Sequence, residues 1–251
     1  MDDPCVDAYP FTGANLHAMT NDRLPAGSVL SVNLGTAKEF EFTSAPRTGI
    51  DKRPVDHPVM VSAPGRKGVA GSGLDGDDVC DRRHHGGDDQ AVYAYAREDL
   101  DAWQAEIGRP LAGGSFGENL TTTGIDISGA VIGEQWAIGE TLVLQVSDPR
   151  IPCRTFAGFL AERGWVKRFT QRAEPGTYLR VLTPGPVSAG DDIRIRHRPD
   201  HGVTVATAFR AFTTEPDLLA LLVGVDDLSP EAKSSVARRA PIELDADAEP
   251  A

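Results

Sequence analysis

The spacing of hydrophobic and polar positions along this 251-residue chain predicts many short strands and few helices. Residues 28–34 are rich in branched apolar side chains and close at Gly35, as a strand does. Residues 38–42 alternate polar and aromatic with a period of two, which predicts a strand with one wet face. Residues 59–61, 135–138, 141–147, 177–183 and 192–196 are further strands, several of them closed by glycine turns. A helical spacing follows Gln90, where Val92, Ala96, Trp103 and Ile107 share one face, with Asp88 or Asp89 as cap and Gly108 and Pro110 as stop signals. A second helical pattern restarts at Cys153, with Phe156, Phe159 and Leu160 on its apolar face. Beyond Pro199 the character changes to three short helices over 203–212, 217–222 and 230–240, opened by Thr204, Pro216 and Ser229-Pro230. Residues 48–55 read as a solvated loop carrying the Lys52-Arg53 pair.

These elements describe a mainly β, barrel-like domain with inserted helices over residues 27–198. An N-terminal extension, 1–26, precedes it; a three-helix extension, 199–240, and an acidic tail, 241–251, read as disordered, follow it. The net charge of −12 lacks the basic footprint that a nucleic-acid partner needs. No apolar run approaches the roughly 18 residues of a membrane span, and the N-terminus has neither a basic region nor an apolar signal core. The expectation is therefore a cytoplasmic protein with neither a membrane nor a nucleic-acid partner; an oligomer is compatible with it. Three cysteines, Cys5, Cys80 and Cys153, are odd in number and far apart, which argues against a disulfide framework and for reduced thiols.

Cys153 is the most informative of them. It stands where the strand 141–147 has ended at two prolines and a helix begins, between Arg150 and Arg154. A helix N-terminus and two cations both favour the thiolate, so the corner reads first as an activated nucleophile. Gly86-Gly87 leads into the helix that follows and exposes N–H groups to which an anion could bind. His84 and His85 face opposite ways on an extended chain, so the pair does not suit one metal ion; either satisfies turn carbonyls or serves the chemistry. In residues 113–122 the glycines allow close approach of the backbone, and Glu118 and Asn119 either present polar groups there or tie down the loop.

Four motifs in order are similar to those of the MOSC domain, named for the C-terminal domain of molybdenum-cofactor sulfurase. They are Thr48-Gly49-Ile50 with Lys52, His85-Gly86-Gly87, Phe116-Gly117-Glu118-Asn119-Leu120, and Pro149-Arg150-Ile151-Pro152-Cys153. The resemblance covers about residues 27–197. The appended helices resemble the extension of a bacterial branch that includes 6-hydroxylaminopurine reductases. The resemblance implies molybdenum cofactor (molybdopterin), with Cys153 as metal ligand or persulfide carrier and Cys80 without a counterpart. Lys52, Arg53, Arg150, Arg154, Gly86 and Gly87 become partners of the pterin phosphate, Glu118 and Asn119 pterin contacts, and His85 a catalytic polar contact or proton donor. The implied activity is reduction of an N-hydroxylated small-molecule substrate with electrons from a separate donor protein, since the sequence shows no flavin, nicotinamide or iron–sulfur motif. Sulfur transfer through Cys153 without metal, and storage or delivery of the cofactor, are the alternatives.

Overall fold

The computed structural model describes residues 26–43 and 45–242. Cys5, nearly all of the N-terminal extension and the acidic residues from Glu243 onward lie outside them. The described strands are β1 (Gly27–Gly35), β2 (Lys38–Glu39), β3 (Arg47–Thr48), β4 (Lys52–Val55), β5 (Val59–Val61), β6 (Val92–Ala96), β7 (Leu120–Thr123), β8 (Gln135–Ile138), β9 (Leu142–Pro149), β10 (Thr177–Thr183), β11 (Gly185–Val187) and β12 (Asp192–His197). The α-helices are α1 (Arg97–Ile107), α2 (Arg154–Leu160), α3 (Trp165–Arg172), α4 (Val205–Phe212) and α5 (Pro230–Arg238), and 3-10 turns occupy Asp88–Gln90 and Pro216–Leu222.

Among the described residues, seven strands close into a barrel in the order β12-β8-β9-β10-β6-β7-β1, and β1 returns to β12 through Gly27 opposite Ile193. The far half of β1 carries β4 as an eighth strand, with Val32 opposite Val55 and Gly35 opposite Lys52. Every pairing in this sheet is antiparallel except β6 with β7. A parallel pair needs a crossover, and α1 supplies it. Mainly β barrel architecture with inserted helices is thus what the chain adopts.

Two apolar clusters flank the barrel wall. Val92, Ala94 and Ala96 of β6 point into the barrel with Leu144, Val146 and Leu179. Tyr93 and Tyr95 point the other way, into an aromatic cluster with Trp103, Phe116, Phe156, Trp165 and Phe169. This corrects the helix expected from Val92 onward: α1 begins only at Arg97, and β6 is buried on both faces. A strand buried on both sides alternates small and aromatic residues rather than apolar and polar ones, so its period of two is hidden from a hydropathy pattern.

Two other expectations change. Residues 52–55 form a strand rather than a loop, and Pro54 is tolerated because β4 is an edge strand. The strand expected over 38–42 stops at Glu39, because Phe40 and Phe42 turn away to pack on α2: the Phe40 ring lies 6.4 Å from that of Phe159, and Phe42 abuts Gly158. The three C-terminal helical segments form where their cap signals put them. Thr204 Oγ1 accepts from Thr207 N–H and Ser229 Oγ from Ala232 N–H. Phe209 and Leu222 are buried and Leu218 packs against the barrel core, so these helices dock on the barrel, while Leu221 and Val223 stay exposed. Among the described residues no helix is long and apolar enough to cross a membrane.

Candidate functional site

β9 keeps its ladder with β10 through Tyr178 opposite Asp148 and Thr177 opposite Pro149, two residues further than the sequence suggested. The chain then turns through Arg150, Ile151 and Pro152, and Cys153 takes the extended conformation of a helix N-cap, φ −129° and ψ 168°. Its carbonyl accepts the Ala157 N–H at 3.0 Å, while its side chain caps nothing. The half-buried thiol is thereby free to face a cavity of about 560 Å³, in the size range of small-molecule and cofactor sites.

The cavity wall is rich in charge. Lys52 pairs with Asp77, Lys67 with Glu231 at 2.5 Å, and Arg83 with Asp81 at 3.7 Å. Asp77 also accepts from Asn119 Nδ2 at 2.9 Å and from Gly35 N–H at 2.8 Å, and Asn119 Oδ1 accepts the Tyr93 N–H. This network fixes β1, β4, β6 and β7 to one another beneath the cavity. Arg150 is different. It is buried, its guanidinium lies 4.2 Å from the Phe156 ring centroid and 4.8 Å from that of Tyr93, and Nη1 donates to the Phe116 carbonyl. It makes no ion pair with the described residues, and its Nε is buried without a partner. Burial opposes its charge, but Tyr93, Tyr178 and Cys153 more than offset this and hold it protonated. A buried cation lacking its own carboxylate is a site that invites an anion.

His85 sits half-buried beside that charge. Burial first, and then Arg150, lower its pKa to about 4, so the imidazole is neutral near pH 7. A bound anion would reverse the second effect. Cys80 lines the same cavity, and burial, with Asp78, pushes its thiol above the ordinary value. It is protonated at neutral pH.

Of the residues expected from the sequence, Lys52, His85, Gly86, Asn119, Arg150, Cys153 and Arg154 come together on this wall. Arg53, Gly87 and Glu118 do not. Arg53 is 69% exposed and pairs with Asp51 at 2.7 Å, because neighbours on a strand face opposite sides and Lys52 takes the inner one. Glu118 is buried behind the wall, where it accepts from Gly114 N–H, Phe116 N–H and Thr121 Oγ1 and so ties down the glycine loop. The expected anion nest at Gly86-Gly87 is also otherwise engaged: Gly87 N–H donates to Gly71 and Asp88 N–H to Gly65. A Cβ on Gly86 would stand 2.5 Å from the Gly71 carbonyl oxygen, so close backbone packing accounts for that glycine. Tyr93, Asp77, Tyr178 and the C-terminal residues Phe212, Ser229 and Ile242 were missed, although they line the cavity. Asp148, given no role from the sequence, also lines the cavity; it ends a strand run that is mostly apolar apart from Gln145 and Ser147.

The model of the MOSC domain matches residues 81–194, the stretch that carries His85, Asn119, Arg150 and Cys153. Over 184 residues the chain is 36% identical to the uncharacterized protein YflK of Bacillus subtilis, covering 73% of this chain and 79% of YflK. The chain belongs to the MOSC family. A protein of Gibberella moniliformis named Reductase is 31% identical over 177 residues; the match takes in 69% of this chain and 30% of that protein. The crystal structure of YiiM from Geobacillus stearothermophilus superposes with a TM-score of 0.68 at 27% identity, covering 85% of this chain and 98% of YiiM. Lys52 and the C-terminal wall of the cavity lie outside the residues matched by the MOSC domain.

Proposed function

We propose that this MOSC protein binds molybdenum cofactor in the cavity and reduces N-hydroxylated small molecules there, with Cys153 as metal ligand. The observation that carries the reading is the pairing of a half-buried thiol with a buried, uncompensated Arg150 on one wall. The donor set fits the group: a soft sulfur ligand suits a metal already held by sulfur, and Arg150, Arg154 and Lys52 suit a phosphate. The cofactor would supply two-electron chemistry at an N–O bond. Asn119, held by Asp77 and Tyr93, would orient the pterin, and the aromatic faces of Tyr93 and Tyr178 would keep water from the reacting side. Neutral His85 would act as a hydrogen-bonding contact and gain a proton only beside a bound anion. The relative named Reductase supports an oxidoreductase. Electrons would come from a separate donor protein.

The test is metal and pterin analysis of protein made in cells competent for cofactor synthesis, followed by turnover of an N-hydroxylated base with a chemical reductant. Stoichiometric molybdenum that is lost in Cys153→Ser, together with turnover, is the expected result. Molybdenum retained in full by Cys153→Ser overturns the ligand assignment. Thiocyanate released by cyanide from metal-free protein would instead make Cys153 a sulfur carrier, and bound cofactor without turnover a delivery module.

A further inference from the structure

Asp148 has no part in the site as described so far. It is 8% exposed, lies at the end of β9 opposite Tyr178, and lines the cavity that holds Cys153. It also lines a second cavity of about 470 Å³, among whose other lining residues Asp88, Pro230 and Glu231 are exposed. Asp148 thus lies on the lining of both cavities, together with Gln90 and Ser229.

Its surroundings give it no cation of its own. From the 3-10 turn and β10, Asp89 and Arg180 face it, but they pair with each other at 2.5 Å. On the α5 side, Lys67 is taken by Glu231, and the Ser229 N–H donates to Asp148 Oδ1 at 3.2 Å. Tyr178, its partner on β10, is a neutral phenol whose pKa burial raises further, and Arg150, two residues on, is packed between Phe156 and Tyr93. Burial therefore dominates, with Asp89 adding to it and Ser229 and Arg180 opposing it, and the Asp148 carboxyl is pushed up to about 6. A buried carboxyl that keeps its proton up to about pH 6, on the lining of the cavity that holds Cys153 and without a cation of its own, is arranged as an acid rather than as a structural ion.

We propose that Asp148 is the proton donor of this site. The proposal rests on the reductase reading given above. Reduction of R–NHOH to R–NH2 and water consumes two electrons, from the redox donor, and two protons. The N–O bond breaks, an N–H bond forms, and the departing oxygen leaves as water. Asp148 delivers one proton to that oxygen and is reprotonated by water through the second cavity, and the other proton comes from solvent.

Two measurements test this. In cofactor-free protein, infrared difference spectra across a pH titration should show a protonated-carboxyl band with a midpoint near 6 that is absent from Asp148→Asn. In loaded protein, with reduced viologen as electron source, wild-type kcat should fall about tenfold per pH unit above that midpoint. Asp148→Asn should be about 100-fold slower at pH 6, without that limb, and Asp148→Glu should restore part of the rate together with the limb. A missing infrared band, or an Asp148→Asn enzyme that keeps both rate and limb, overturns the proposal while leaving the reductase reading in place. Loaded wild-type protein that turns over no N-hydroxylated base overturns both.

Discussion

Arg150 and His85 would both respond to an anion bound in the cavity, and each gives a measurable consequence. A phosphate monoester or pterin phosphate added to cofactor-free protein should raise Tm, by an amount equivalent to about 2.7 kcal/mol at one hundred times Kd. Arg150→Met should abolish that shift while changing the stability of the free protein by only about 1 kcal/mol, since it removes an uncompensated buried charge but strands the Phe116 carbonyl. Differential scanning fluorimetry with and without the ligand separates the two effects. For His85 the folded pKa, about 4, lies below the 6.5 of an unperturbed imidazole. The unfolded chain therefore takes up this proton first, and stability is lost as pH falls from about 6.5 toward 4. His85→Gln should flatten the acid side of the Tm profile, and the NMR-detected pKa of His85 should rise when an anion binds. Motifs in the sequence located Cys153, His85, Arg150 and Asn119, whose cavity placement follows from short local turns. They could not separate Lys52 from Arg53, because that distinction needs the strand: only once residues 52–55 pair with β1 does alternation send one side chain inward and the other to solvent. The role of Glu118 was equally illegible, since both open readings of its loop use the same residues and differ only in which way the carboxylate turns.

At the level of elements, the position of Cys153 depends on α2, and α2 is seated by a residue far away in the chain. Gly158 lies where a Cβ would be 2.4 Å from Phe42 Cβ, and Thr155 Oγ1 donates to the Phe42 carbonyl at 3.3 Å. Helix propensity alone says that Gly158→Ala stabilises a helix by about 1 kcal/mol. Packing says the reverse: Phe42 or α2 has to move, at a cost of about 1–3 kcal/mol. Chemical denaturation should therefore show Gly158→Ala to be destabilised, with slower reaction of Cys153 or weaker metal uptake as its companion, because the helix N-terminus shifts with the helix. The same residues explain a misread strand. Phe40 and Phe42 obey a period of two but leave the ladder after Glu39 to clamp α2. β6 failed in the opposite sense: a real strand, Val92–Ala96, lacked the polar half of its alternation and merged with the helical spacing of α1. Strands with one wet face, such as 192–196, were readable because solvent writes the pattern; strands buried on both faces are not.

For the whole molecule, the question is whether the C-terminal helices are an appendage or a part of the fold that completes the site. Cap signals at Thr204, Pro216 and Ser229 made the helices legible, but no local pattern could say where they dock, since that depends on contacts far apart in sequence. Phe212 and Ala232 join the barrel cluster, while Phe209 of α4 crosses to the aromatic cluster and meets the Phe169 ring edge-on at 6.2 Å. Phe212, Ser229, Glu231 and Ile242 then form part of the cavity wall itself. A fully buried Phe reduced to Ala leaves a cavity and costs about 3–5 kcal/mol, a large share of the roughly 5–15 kcal/mol that holds a domain together. Phe209→Ala should therefore lower the single unfolding transition of the whole chain. If the helices were a detachable module, the substitution would instead split calorimetric unfolding into two steps and leave the upper one, that of the barrel, at its wild-type temperature. Coincident loss of tryptophan fluorescence from Trp103 and Trp165 and of far-UV ellipticity at one lowered midpoint is the expected result, because both rings share the aromatic cluster with Phe209.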